Sequence, residues 1–178
     1  MTVIISDDSR AAWGRQLEEE LVQMGVRTQQ FAADRLRIRP CIACSSCSGR
    51  TYGRCVLPDD MQHLYPHIAG CRALVLVSPL LFGSVSHHIK KVMDRMSALG
   101  DPRYHYSDGE LVKGMRGQGM RYYMLGIGDG PDEAQRRAFC FLHEENRRIM
   151  NVEGRAFVLD SRFQQAELTR IAEEIGRG

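Results

Sequence analysis

The sequence has no apolar run long enough to cross a bilayer, since a spanning helix needs about 20 such residues in a row. A membrane partner is therefore not expected. It also lacks an excess of charge of one sign, with 24 lysines and arginines against 22 aspartates and glutamates and a net charge of +2. Nucleic-acid binders concentrate basic charge, so no nucleic-acid partner is expected either. The N-terminal stretch MTVIISDDSR has no basic segment leading into an apolar one, which argues against a secretory signal. The expected address is the cytoplasm, where thiols stay reduced unless they act. Six cysteines should then not be read as a disulfide framework. Internal repeats, low-complexity stretches and interdomain linkers are missing as well. A length of 178 residues suits one domain over 1–178, and 43% apolar with 26% charged residues is the composition of a folded globular chain.

What is present is an alternation of apolar runs with helical stripes. TVIIS (2–6) reads as a buried strand. Trp13, Leu17, Leu21 and Met24 follow at helical spacing, and Gly25 ends that helix. VRTQQF (26–31) reads as an edge strand, RALVLVSP (72–79) as the strongest strand, MRYYMLGIG (120–128) as the fourth and RAFVLD (155–160) as the fifth. Between them lie a stripe of Val85, Ile89, Val92 and Met96 and a second of Ala138, Phe141, Glu145 and Ile149; Leu168, Ile171 and Ile175 close the chain. Strands alternating with helices imply a parallel sheet covered on both faces. Right-handed crossovers make it a doubly wound five-stranded α/β sheet. The segment 99–119 is polar and glycine-rich and reads as a long excursion at one end of the sheet.

Ligands of such sheets sit beyond the carboxyl ends of the strands. Three loops are placed there, 6–10, 78–84 and 126–131, and the cysteine-rich loop after the second strand is expected at the same edge. That loop, CIACSSCSGRTYGRC, has the spacing C-x2-C-x2-C-x7-C through Cys41, Cys44, Cys47 and Cys55. Two-residue gaps let successive thiolates converge, and a remote fourth can close a four-thiolate site. Three close cysteines and one distant one suit an iron–sulfur cubane better than a zinc ribbon, which prefers two separated pairs. Four unmetallated thiols remain the plain alternative. Cys71 and Cys140 read as core residues. Cys44 to Arg50 also spells C-x5-R, the phosphate cradle of tyrosine phosphatases, with Asp101–Pro102 as a source of acid. That cradle needs a helix to begin at the arginine, and Gly53 and Pro58 follow instead.

From Pro40 to Arg95 the chain resembles the NAD(P)H-dependent FMN reductase and iron–sulfur flavoprotein group of flavodoxin-like proteins. PCIACSSC, GRCVLPDDM (53–61), SPLLFGSVS (78–86) and IKKVMDRM (89–96) carry the resemblance. It implies a flavodoxin-like fold, bound FMN, and electron or hydride transfer from NAD(P)H to an acceptor the sequence does not name. By position, Pro79, Leu80, Leu81, Phe82, Gly83 and Ser84 would embrace the isoalloxazine ring, with Leu81 where relatives usually carry an aromatic. Gly126, Gly128 and Asp129 would form the loop on the ring's other side. Ser6, Ser9 and Arg10 would meet the FMN phosphate. The four cysteines would hold a 4Fe–4S cluster. A homodimer or homotetramer is implied, because flavin sites in such relatives border a neighbouring subunit.

The first loop departs from that pattern. Relatives have a longer Ser/Thr-rich loop, whereas here it is SDDSR, and Asp7 and Asp8 would repel a dianion. Asp8 or Ser9 would in the plainest reading cap the following helix. The alternative function is thus a flavodoxin-like scaffold that has lost flavin and serves as a binding or regulatory protein. A response-regulator receiver is excluded, because Ser78–Pro79 stands where a phosphorylated aspartate belongs and VLDS lacks the expected lysine. His87 and His88 read as a surface helix pair, or as groups that orient substrate. Asp94 and Arg95 read as a structural pair, and Tyr104, His105 and Tyr106 as a cover over substrate or an oligomer contact.

Overall fold

Successive side chains of a strand point to opposite faces, so a strand apolar at every position must be covered on both. A computed structural model of the protein, describing residues 1–107, 109–115 and 119–177, shows where those covers come from. The strands are β1 (Thr2–Ser6), β2 (Thr28–Ala32), β3 (Ala73–Pro79), β4 (His105–Ser107), β5 (Glu110–Val112), β6 (Arg121–Gly128) and β7 (Ala156–Asp160). The helices are α1 (Trp13–Gln23), α2 (Met61–Ala69), α3 (His87–Arg95), α4 (Glu133–Met150) and α5 (Gln165–Arg177). Five strands form one sheet in the order β2-β1-β3-β6-β7, every pairing parallel. The flavodoxin-like doubly wound fold is confirmed.

The alternation divides the core in two. Ile4, Val75, Val77, Tyr123, Leu125 and Ile127 turn to one face, where Leu17 and Leu21 of α1 meet Leu168, Ile171 and Ile175 of α5. Val3, Ile5, Leu74, Leu76, Tyr122 and Met124 turn to the other, under α2, α3 and α4. Glu20 of α1, nearly buried, accepts hydrogen bonds from Gln165 (2.8 Å) and Thr169 (2.7 Å) of α5, so the polar position in that helix stripe is satisfied. Among the described residues no helix is long and apolar enough to cross a membrane.

Four expectations need correction. The second strand starts at Thr28, two residues late, because Gly25 takes φ 78° and Val26 N–H returns to Leu21 O to close the helix; Met24 is exposed at that end. The buried face of α4 is Phe139, His143 and Met150, while Phe141 and Ile149 are exposed. The polar His143 disguised that face. Its ring stacks on Tyr122 and its Nε2 bonds to Tyr122 O at 2.9 Å, which makes burial tolerable; burial holds its pKa below the ordinary histidine value. Cys140, next to Phe139, is consequently exposed, whereas Cys71 is buried as expected. The excursion carries the β4–β5 hairpin and is tied to the carboxyl end of α4, where Lys113 and Gly114 N–H both donate to Ile149 O. That places Tyr104, His105 and Tyr106 at the end of the sheet opposite the strand tips, so they do not cover the loops there.

Glycine at 126 is required by packing. A Cβ built there would stand 2.9 Å from two ring atoms of Phe139, itself fully buried. Gly126→Ala should cost about 1–3 kcal/mol, the usual penalty of overpacking, read as a lower urea midpoint at unchanged slope.

Candidate functional site

In a sheet of this order the crossovers from β1 and from β3 leave in opposite directions, and the ligand crevice opens beyond the carboxyl ends at the β1/β3 boundary. Three loops meet there. The first follows β1. Ser6 is fully buried, and its Oγ accepts a 2.7 Å hydrogen bond from Gln30 Nε2 of β2. Asp8 Oδ1 accepts from Gly14 N–H in the first turn of α1 at 3.0 Å, Asp8 Oδ2 accepts from Gln30 Nε2 at 3.1 Å, and Asp8 N–H donates to Asp34 Oδ1 at 3.0 Å. Asp7 is buried and accepts from Ser9 N–H. Burial pushes the Asp8 carboxyl above the ordinary aspartate range, and Asp34 and Asp7 add to that push against the Gly14 amide. For Asp7 burial acts the same way, but hydrogen bonds with Ser86 and Ser9 outweigh it and the net shift is downward. Ser9 and Arg10 are exposed.

The second loop follows β3. Leu80 N–H donates to Ile127 O at 2.8 Å, and Leu81 and Ser84 exchange both backbone hydrogen bonds at 2.9 Å. Phe82 (φ 51°) and Gly83 (φ 77°) form the two-residue tip of this small hairpin. Two positive φ values in succession define the type I′ turn, where Asn and Gly are the common choices and a bulky aromatic is an outlier. Phe82 is nevertheless 97% exposed. Gly83 is pressed onto α4, with an added Cβ falling 2.8 Å from Ala138 Cβ. Pro79 and Leu80 are buried, and Ser84 is half-buried. Among the described residues no hydrogen bond uses the amides of Phe82 and Gly83. Below them Ser78 Oγ accepts from Ser86 N–H at 2.8 Å and donates to Pro79 O at 2.9 Å, and Ser86 Oγ caps α3.

The third loop follows β6. Gly126 and Gly128 do not face the crevice with open space above them; they let Phe139 and Leu80 approach the strand. Asp129 is exposed and accepts a hydrogen bond from Ser161 Oγ, and Gly130 N–H donates to Asp160 Oδ2 at 2.9 Å. Hydrogen bonds from the Arg162 side chain and backbone hold the Asp160 carboxyl well below the usual range. The loop is thereby fastened to the end of β7.

A planar aromatic ligand suits the hairpin, which offers an exposed ring and two uncommitted amides. A phosphate dianion does not suit the first loop, whose serine is engaged and whose helix amide already holds a carboxylate. Sequence reasoning singled out Ser6 and the acidic pair but missed Gln30, Asp34 and Gly14. Asp34 lies 26 residues from Asp8, and nothing local marks it.

The cysteine loop lies elsewhere. Its base is zipped by Arg37 N–H to Asp60 (2.7 Å) and Arg39 N–H to Asp59 (3.0 Å). Arg95, with a fully buried side chain, closes it. Its guanidinium grips both Asp59 oxygens (2.8 and 3.1 Å) and donates to Arg39 O (3.0 Å) and Leu57 O (3.4 Å). The expected Asp94–Arg95 pair is therefore replaced, and Asp94 pairs with Lys90 on the surface. Burial would raise Asp59, but the Arg95 hydrogen bonds prevail and its pKa is lowered. Residues 46–48 pack against 96–98, and the buried Lys113 donates to Ser48 Oγ (2.9 Å) and Ser97 O (3.2 Å). The loop thus sits at the far end of α3, about 14 Å along a nine-residue helix from the strand tips. Position after β2 did not keep it at the carboxyl edge, because Arg95 draws the chain across α3.

Cys41 and Cys44 are exposed, and Cys47 and Cys55 half-buried. Among the described residues no three His, Cys, Asp or Glu side chains stand together as a metal site. The four thiols are a suitable donor set, but this arrangement does not bring them to one centre. Hydrogen bonds from the Ser46 hydroxyl and amide, helped by Arg50, lower the pKa of Cys44. Ala43 (φ 50°) and Ser45 (φ 55°), on either side of it, are both left-handed. Past Arg50 the chain enters turns and no helix begins until Met61, which keeps the phosphatase reading excluded. The His87 and His88 rings lie 3.8 Å apart, centroid to centroid, and tilted by 41° on the first turn of α3.

Residues 9–135 match the family model of NADPH-dependent FMN reductases. An iron–sulfur flavoprotein of Archaeoglobus fulgidus is 33% identical over 91 residues, 51% of this chain and 46% of that protein. One from Methanocaldococcus jannaschii is 28% identical over 85 residues, 48% of this chain and 43% of that protein. The matches thus span somewhat less than half the length of these curated relatives. Among solved structures, an apo NADH:FMN oxidoreductase superposes with TM-score 0.65 at 13% identity, over 99% of this chain and 88% of that one. An NAD(P)H:quinone oxidoreductase from Methanothermobacter marburgensis gives 0.65 at 15%, over 99% and 93%. These two likenesses show the fold.

Removing the Arg95 clamp leaves Asp59 buried without its cation. Arg95→Met should destabilise the protein by about 3–5 kcal/mol and speed alkylation of Cys41, Cys44, Cys47 and Cys55 relative to Cys71, as counted by mass spectrometry under native conditions. The Asp59 contribution is present above the unfolded aspartate pKa and lost as pH falls through the lowered folded value, so the difference in stability between wild type and variant should narrow below about pH 4.

Proposed function

Because the chain belongs to the NADPH-dependent FMN reductase family, we propose that it is a flavin-dependent oxidoreductase taking electrons from NAD(P)H and passing them to an acceptor. The observation that carries this reading is Phe82, 97% exposed and held at φ 51° on the hairpin at the β1/β3 boundary. A backbone outlier of this kind persists when its surroundings over-determine it, and such outliers cluster at ligand sites. A flavin supplies hydride acceptance and electron transfer when bound. The protein's part is to seat the ring on Phe82, to offer the Phe82 and Gly83 amides to its polar edge, and to fix the hairpin by pressing Gly83 on α4. The rigid Ser78–Ser86 hydrogen bond beneath keeps that seat in place. The nicotinamide donor is inferred from the family alone. A homodimer or homotetramer is part of the proposal, supported by exposed Phe82, Tyr104, Tyr106 and Leu111.

A 4Fe–4S cluster on Cys41, Cys44, Cys47 and Cys55 is proposed as a second redox centre. The names of the curated relatives, the lowered Cys44 pKa and the paired left-handed residues around it favour this reading. The exposed loop would have to close to gather its ligands. The rival reading, a scaffold without flavin, draws on the occupied first loop.

Titration of flavin fluorescence with purified protein tests the main reading, and quenching with a micromolar or tighter constant is the expected result. Phe82→Asn should weaken flavin binding about tenfold through loss of the aromatic face while stabilising the fold by about 1 kcal/mol, since Asn tolerates the left-handed conformation. A protein that quenches no flavin leaves the scaffold reading standing. For the cluster, anaerobic reconstitution with iron and sulfide should load about four irons per chain. Cys44→Ser should abolish that uptake; iron content equal to wild type refutes the ligand set.

A further inference from the structure

The first loop already holds a carboxylate against the helix amide that a ligand anion would use. A helix N-terminus binds phosphate through amides left unpaired by the first turn and through its dipole. In α1 two of those amides are in use, since Trp13 N–H donates to Ala11 O at 2.8 Å and Gly14 N–H to Asp8 Oδ1 at 3.0 Å. The hydroxyl that would assist, Ser6 Oγ, is held by Gln30 at 2.7 Å. Space is closed as well. A Cβ on Gly14 would fall 2.2 Å from Ser6 Oγ, so β1 and the first turn of α1 already touch. Three carboxylates, Asp7, Asp8 and Asp34, surround the spot. Arg10, the arginine nearest in sequence, is exposed, and the half-buried His88 has its pKa lowered by burial and by His87.

We propose that Asp8 stands in for the flavin 5′-phosphate, so that this site recognises flavin by its ring and hydroxylated chain and binds riboflavin at least as tightly as FMN. The proposal rests on the flavin reading above and names the form of flavin that reading would take. A ribityl chain ending in a neutral hydroxyl donates hydrogen bonds, and the carboxylates at this loop accept them. A phosphate at the same place brings two negative charges to acceptors that have no proton to offer it. Hydrogen bonds from Gly14 N–H and Gln30 Nε2 hold the Asp8 carboxylate in place.

The test is fluorescence titration of riboflavin and FMN, in parallel, with wild type and with Asp8→Asn. Asparagine keeps an oxygen for Gly14 N–H and removes the charge. Wild type should bind riboflavin as tightly as FMN or more tightly. The variant should shift the ratio of FMN to riboflavin affinity at least tenfold towards FMN, whatever riboflavin itself loses with the carboxylate. Wild type alone gives a second readout, because added salt screens the repulsion: FMN affinity should rise with ionic strength and riboflavin affinity should not. Wild type preferring FMN, or an FMN-to-riboflavin ratio unchanged in the variant, overturns the assignment of Asp8 while leaving flavin binding intact. Failure of every form of the protein to bind either flavin overturns both this assignment and the flavin reading.

Discussion

A guanidinium buried at the end of α3 organises one half of this molecule. Arginine cannot shed its charge, so a fully buried Arg95 side chain must be met by a carboxylate and by carbonyls wherever the chain can supply them. Asp59 supplies the first, Arg39 and Leu57 the second. Those residues lie on both sides of the cysteine loop, and satisfying one cation therefore fixes where the loop leaves the body and where it returns. Tyr65 extends the arrangement, donating its hydroxyl to Arg95 O at 3.1 Å. Removing one member of such a set costs more than the pair contributes when intact, since what remains is an unpaired buried charge. The cysteines ride on a clamped base with an open crown.

The other half is organised by close approach at the strand tips. Gly83, Gly126 and Gly128 each allow a side chain or helix nearer than a Cβ would permit. Through Gly126 the Phe139 ring of α4 lies against β6, and through Gly83 the hairpin after β3 rests on the same helix. The loop that presents Phe82 is thus referenced to α4 and to Ile127, on the side of the boundary away from β1. The first loop is referenced to β2 and α1 through Gln30, Asp34 and Gly14. Asp7 joins the two walls, donating its N–H to Val77 O at 2.9 Å and hydrogen-bonding Ser86.

How much of this was legible follows from the range of the interactions. The five strands and their parallel arrangement could be read, most plainly at 2–6 and 72–79, because buried parallel strands are apolar throughout. The face of α4 could not, because His143 becomes a core residue only through the Tyr122 carbonyl 21 positions away. The hairpin at 81–84 carries no turn signature, as Phe–Gly is not the Asn–Gly that predicts a type I′ turn. The resemblance set Phe82 and Gly83 in a loop after the third strand, and a hairpin stands there. The path of the cysteine loop was misjudged for a similar reason: Arg95 and Asp59 are 36 residues apart, and their pairing redirects a segment whose own sequence is mostly glycine, serine and cysteine.

Strain gives the last link between fold and chemistry. Among the described residues the non-glycine positions with positive φ are Ala43, Ser45, Phe82 and Asn151. Asn151 ends α4, where a left-handed residue is an ordinary helix cap and asparagine tolerates the conformation. The remaining three have no such excuse, since alanine, serine and phenylalanine each lose about 1–2 kcal/mol in that conformation. They fall in the two loops that carry the candidate chemistry, flanking Cys44 and topping the hairpin at the strand tips. All three are exposed, so burial of their own side chains does not offset the strain. These costly conformations hold the Cys44 thiol and the Phe82 ring out to solvent, and strain of this kind persists only where the surrounding fold over-determines a loop.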